Sequence, residues 1–189
     1  MGRRASDKRE RLVRAAAERF HRDGLNGTSI AEIARDADVP VGNVFYYFRT
    51  KDELIRAVVD HWVERIHLTI DSLLPEEPPE RRLEAFLDRS AERADIYATI
   101  GCPLVALARD LRQSGGTLSP LAGNVIRPQI DWIDRMFSAM GVGKEKECGT
   151  AKRVLAALQG SFQMAFALGD PDVIHSTVEK LKRQITTVS

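Results

Sequence analysis

Apolar residues in this chain recur every three or four positions and almost never alternate, which is the spacing of helices rather than strands. Between residues 6 and 23, Leu12, Val13, Ala16, Ala17 and Phe20 share one helical face, and Gly24 is a natural stop. A second, shorter stripe follows: Ile30, Ile33, Ala34 and Ala37. Thr28 and Ser29 stand ahead of it, and Glu32 lies three residues after Ser29, the spacing of a capping box. Asp38 and Val39 then form a turn. Pro40, with its fixed φ and missing N–H, suits the start of a third short helix through Phe45. Lys51-Asp52-Glu53 opens a long helix with acids in the first turn, where the macrodipole favours them. Its stripe of Leu54, Ile55, Val58, Val59, Trp62, Val63 and Ile66 reaches toward Leu73.

Leu74-Pro75-Glu76-Glu77-Pro78-Pro79 is the clearest boundary, because prolines end helices. Beyond it, Leu83, Phe86, Leu87, Ala91 and Ala94 predict one amphipathic helix, and Gly101-Cys102-Pro103 breaks the chain. Leu104, Leu107, Ala108 and Leu111 predict a short helix closed by Gly115-Gly116. Two longer segments follow, Ser119 to Met140, interrupted at Pro128, and Cys148 to Leu168. A last helix begins near Pro171. The expected architecture is all-α. A three-helix head (1–50, with a helix-turn-helix at 29–48) is joined by a long helix (51–74) to a larger helical body (75–189).

Two short helices across a tight turn form a device that places the second helix in the DNA major groove. Val39-Pro40-Val41-Gly42-Asn43-Val44-Phe45-Tyr46-Tyr47-Phe48-Arg49-Thr50-Lys51 resembles the recognition-helix signature of the TetR family of bacterial transcriptional regulators. The pattern is met at Val39, Gly42, Val44, Tyr47, Phe48, Thr50, Lys51 and Leu54. It is departed from at Pro40, where a capping hydroxyl is usual, and at Phe45, where a tyrosine phenol is usual. Charge supports the likeness. Between Met1 and Arg22 there are eight Lys or Arg against three acids, on a chain whose formal net charge is only +1. Arg3 and Arg4 are expected at a tip that settles on phosphates.

Expected DNA-contacting residues are Thr28 or Ser29, Tyr47 and Lys51 on phosphates, with Val41, Gly42, Asn43 and Tyr46 facing bases. Asn43 can pair with adenine, and Val41 can pack on a thymine methyl. The resemblance implies a homodimer on a palindromic operator, paired through the last two long helices, and a body that binds a small apolar or aromatic effector. The candidate dimer segments are Ser119 to Met140 and Cys148 to Leu168, with a stripe of Leu155, Leu158, Gln159, Phe162 and Phe166 that either a partner covers or its own core buries. Candidate ligand-lining residues are Phe86, Tyr97, Cys102, Leu107, Trp132, Met136, Phe162 and Phe166, for all of which ordinary core packing is the competing role. Cys102 between Gly101 and Pro103 leaves open a thiol that senses oxidants or electrophiles.

Other classes fare worse. His21, His61, His67 and His175 have no metal-ligand spacing, and no serine sits in a GxSxG elbow. Residues 138–145 resemble a phosphate loop only distantly, with serine for its first glycine and glutamate after the lysine. No metal, cofactor or enzymatic activity is expected. A helical scaffold is the remaining alternative, against which the basic end and the motif both count. No apolar run approaches the ~20 residues that span a bilayer, and the first residues lack a signal-peptide core. A cytoplasmic protein with no membrane partner is expected.

Overall fold

The computed structural model describes residues 2–141 and 144–188, and side chains within 7–141 and 151–185. Arg3, Arg4, Cys148 and much of 138–145 therefore lie outside the described side chains. Eleven helices and no strand are found among the described residues: α1 (Gly2–Gly27), α2 (Ile30–Asp36), α3 (Val41–Tyr47), α4 (Lys51–Asp71), α5 (Pro79–Ala91), α6 (Ala94–Ile100), α7 (Pro103–Ser114), α8 (Leu121–Asn124), α9 (Arg127–Ala139), α10 (Lys144–Leu168) and α11 (Asp172–Val188).

The chain folds as two compact units that do not follow the expected linear division. One comprises Met1–Arg65 with Pro103–Val125, and the other Ile66–Cys102 with Ile126–Ser189. Helix α4 crosses from one to the other. In the first unit, α1 packs against both α2 and α7. Leu12, Val13, Ala16, Ala17 and Phe20 are buried as their spacing predicts, and Ala15 is buried as well. Leu107, expected in a ligand pocket of the body, belongs instead to this first unit. The α7 stripe tells which face is apolar, but not which neighbour it meets.

In the second unit α10 is central, packing against α6, α9 and α11, while α5 packs against α9 and α11. Trp132 and Phe137 are its largest fully buried side chains. Leu155, Leu158 and Phe162, expected as a stripe for a partner, face this core instead. The segment 119–140 is not one kinked helix: α8 is a single turn, and Pro128 sits in the first turn of α9, where its missing N–H costs nothing. Ala94 does not extend α5. The chain turns at Glu92 and Arg93, and Ala94 opens α6. Gly101 ends α6 at φ 75°, ψ −178°, a backbone region open to glycine alone, which makes the Gly101-Cys102-Pro103 break a structural requirement.

Candidate nucleic-acid interface

Helix α2 starts as its sequence predicts. The Glu32 N–H donates to Ser29 Oγ at 3.3 Å, and the Ser29 N–H donates to the Glu32 carboxylate at 2.9 Å, closing the capping box. Ile33 and Ala34 anchor α2 in the core. The turn is then made by Asp38 at φ 51°, a left-handed conformation that a short polar side chain tolerates. Val39 is buried and its N–H donates to the Ala34 carbonyl at 2.9 Å. Pro40 is the N-cap of α3, and its carbonyl accepts from the Asn43 N–H at 2.8 Å.

Only Val44 of α3 is fully buried, at 0% exposure. The rest of the helix points outward: Val41 is 45% exposed, Phe45 55% and Tyr46 82%, with Gly42 and Asn43 exposed beside them. Tyr47 is half-buried, its ring edge-on to Tyr46 with centroids 5.0 Å apart. A Cβ on Gly42 would meet nothing within 4 Å, so no packing inside the protein calls for glycine there. Phe48 closes the helix against the core, with the Arg9 guanidinium 5.2 Å above its ring.

Three of the expected phosphate contacts make bonds within the protein. Thr28 is buried, and its hydroxyl donates to the Gly24 carbonyl at 2.8 Å. The exposed Ser29 hydroxyl donates to the Glu32 carboxylate at 2.7 Å. Lys51 Nζ donates to the Leu25 carbonyl and, at 2.6 Å, to the Thr28 carbonyl. Its ammonium thus ties the start of α4 to the loop that launches α2. Thr28 and Lys51 hold the reading head together, a role that residue type and spacing could not reveal because their bonds run to backbone carbonyls.

Part of the basic excess of α1 is also engaged. Arg19 is paired to Asp23 at 3.1 Å, to Glu32 at 3.3 Å and, through two nitrogens, to Asp36, which joins α1 to α2. Arg22 pairs with Asp23, and Arg11 with Asp7 and Asp38. The hydrogen bond from Arg19 holds the Asp36 carboxyl below its ordinary value. Arg22 does the same for Asp23, and the Ser29 N–H and hydroxyl for Glu32. A carboxylate with a depressed folded pKa contributes stability that is present above its unfolded pKa and lost as pH falls through the folded value. The first unit is therefore expected to hold its stability from neutral pH down to about 4 and lose it below. Denaturant titrations at pH 7 and pH 3 check this, and Arg19→Gln should shrink the difference.

In the second unit the expected ligand residues are mostly brought together as core. Phe86 lies beside Trp132 at 5.5 Å between ring centroids, and Tyr97 stacks on Phe162 at 4.2 Å. Burial and the neighbouring Cys102 push the Tyr97 phenol above its ordinary value. Cys102 and Met136 are buried, whereas Phe166 is 46% exposed, its ring 3.7 Å from where a Cβ on Gly101 would stand. A cleft of about 590 Å³ lies elsewhere, among Phe137, Val154, Leu181 and Ile185, with Arg153, Lys180 and Gln184 also on its walls. None of the eight expected ligand residues lines it. The Gln129 and Gln159 amide oxygens are buried without a hydrogen-bond partner among the described residues, polar positions that apolar periodicity does not flag.

A capped α2, a left-handed turn, and an α3 held by one core residue with its outer face bare form a helix-turn-helix in full. Residues 12–58 match the family described as "Bacterial regulatory proteins, tetR family". Residues 12–58 are a TetR-family DNA-binding head. A Lactococcus lactis protein named as an uncharacterized HTH-type transcriptional regulator is 26% identical over 95% of this chain and 94% of its own length. An HTH-type transcriptional repressor of Mycobacterium tuberculosis is 38% identical over 41% of this chain and 39% of its own length. A TetR transcriptional regulator from Chloroflexus aurantiacus has the same fold, with a TM-score of 0.84 and 22% identity over 97% of this chain and 96% of that one. The chain is a DNA-binding transcriptional regulator, and its relatives are regulators rather than enzymes. No helix among the described residues is long and apolar enough to cross a membrane.

Proposed function

We propose that this TetR-family chain is a repressor that leaves a palindromic operator when a small apolar or aromatic molecule binds its body. The observation that carries the DNA half is the bare outer face of α3, supported on a single buried valine. Val41, Gly42, Asn43 and Tyr46 face the bases, and Tyr47 the backbone. The exposed α3 side chains include no lysine or arginine, the usual readers of guanine. Phe45 adds an apolar surface that suits a thymine methyl. A half-site rich in A·T under α3 follows.

One short helix reads few base pairs, so two heads one helical turn apart are needed for a specific site. The surface for pairing two copies is the outer face of α10, where Ala156, Ala157 and Gly160 are exposed and small enough to admit a partner helix closely, with Gln163 and Met164 exposed beside them. It lies in one of the two expected pairing segments, Cys148 to Leu168; the other, Ser119 to Met140, holds α8 and α9. The named repressor among the relatives supports the direction of regulation. An effector carrying a hydrogen-bond donor would satisfy Gln129 or Gln159. It releases DNA only through a difference in affinity between two conformations.

Gly42→Ala tests the reading with effects of opposite sign. Alanine should raise the melting temperature, because it favours a helix by up to about 1 kcal/mol over glycine and meets nothing within 4 Å. It should also weaken operator binding at least tenfold, because the methyl stands on the face that meets DNA. Affinity that is unchanged, or that rises with stability, would remove α3 from the interface.

A further inference from the structure

The polar contact that fixes the entry to the helix-turn-helix comes from outside the N-terminal motif. In α1 the backbone turns at Gly24, with φ 75° and ψ 165°, again a glycine-only region. The backbone of the next residue is held on both sides. The Leu25 N–H donates to Asp110 Oδ2 at 3.0 Å, and the Leu25 carbonyl accepts from Lys51 Nζ. Asp110 stands on α7, 85 residues along the chain. Its side chain is only 12% exposed, and its other oxygen accepts from Arg109 at 3.1 Å and 3.2 Å. The fit is close: a Cβ on Gly24 would come within 3.1 Å of Asp110 Oδ2. Thr28, four residues after Gly24, is tied back to the Gly24 carbonyl, and Ile30 opens α2.

We propose that Asp110 is a positioning residue for DNA binding, setting the attitude of α2 and α3 through the Leu25 N–H without touching DNA itself. A carboxylate that accepts a buried backbone N–H is a strong, directional tie, and it acts directly after the turn at Gly24. The 103–125 segment that carries it packs with the head, yet is joined at both ends to the other unit, at Cys102 and at Ile126. A binding event in that unit thus has a covalent path to the residue that aims the head. The inference rests on the DNA-binding reading and adds to it a residue that the N-terminal motif does not contain.

The test uses the full chain and an operator selected from random duplex, with Asp110→Asn, Asp110→Ala and Asp110→Glu compared well below their melting temperatures. Asparagine keeps an acceptor in place and should bind within about threefold of the parent. Alanine releases the Leu25 N–H and should bind at least tenfold more weakly. Glutamate keeps the charge but drives the carboxylate into Gly24, and should lose as much; it carries the test if the alanine variant does not fold. In all three the slope of log affinity against log salt should stay at the parent value, because no phosphate contact is lost. Folded alanine or glutamate variants that bind like the parent, with only a lowered melting temperature, would overturn the proposal and leave the regulator standing. A parent chain that selects no duplex would fail the DNA-binding reading itself.

Discussion

Lys51→Met should lower the stability of the DNA-binding unit by about 2–6 kcal/mol, since two carbonyl acceptors lose a charged donor at ~1–3 kcal/mol each. Methionine fills the same stem volume, so the loss reports the ammonium and not a cavity. Burial already pushes the Lys51 ammonium below its ordinary pKa, the sign of a group drawn out of water. Its partners are the carbonyls of Leu25 and Thr28, both of buried residues. The salt dependence of DNA binding should be unchanged in the folded variant. A lysine that neutralised a phosphate would instead take nearly one unit off that slope when replaced. Thermal melts and a salt series on one operator separate the two roles.

Trp132→Ala should cost about 3–5 kcal/mol, the range for emptying a large buried aromatic site. For a chain of this size that is roughly a 10 °C fall in melting temperature. Trp132 is 2% exposed, beside Phe86 and under the Arg82 guanidinium at 5.8 Å. A residue lining an open ligand cavity would lose fewer contacts and cost less on truncation. A loss below about 1 kcal/mol, far under the range for a packed site, would restore Trp132 to the effector pocket. Calorimetric or circular-dichroism melts of the two proteins decide it.

The head was legible because its signals are local. Ser29 with Glu32, Pro40 at a cap, and one apolar side chain per turn are each decided within four residues of sequence. The start of α4 is read from its acids, and Thr50 Oγ1, which accepts from the Glu53 N–H at 3.2 Å, adds a local cap to it. What was not legible depends on distant partners. The same α7 stripe that suggested a body helix turns out to pack on α1, because periodicity names a face and not its neighbour. Lys51 matched a signature position, yet its bonds run to the backbone 23 and 26 residues earlier. Leu155, Leu158 and Phe162 could equally have faced a partner or their own unit, and burial assigns them to the latter. Glu92 and Arg93 turn the chain with neither glycine nor proline to announce it, so Ala94 looked like a continuation of α5. Asp110 carried no signal at all: one aspartate on an amphipathic helix is ordinary until the Leu25 N–H is found against it.

The most direct measurement is selection of bound duplexes from a random pool by the purified full chain, followed by affinity against salt on the selected site. DNA reading through α3 predicts a two-fold-symmetric sequence, A·T-rich where α3 docks, whose log affinity falls linearly with log salt. A pool that emerges without any shared sequence, or binding indifferent to salt, would contradict it.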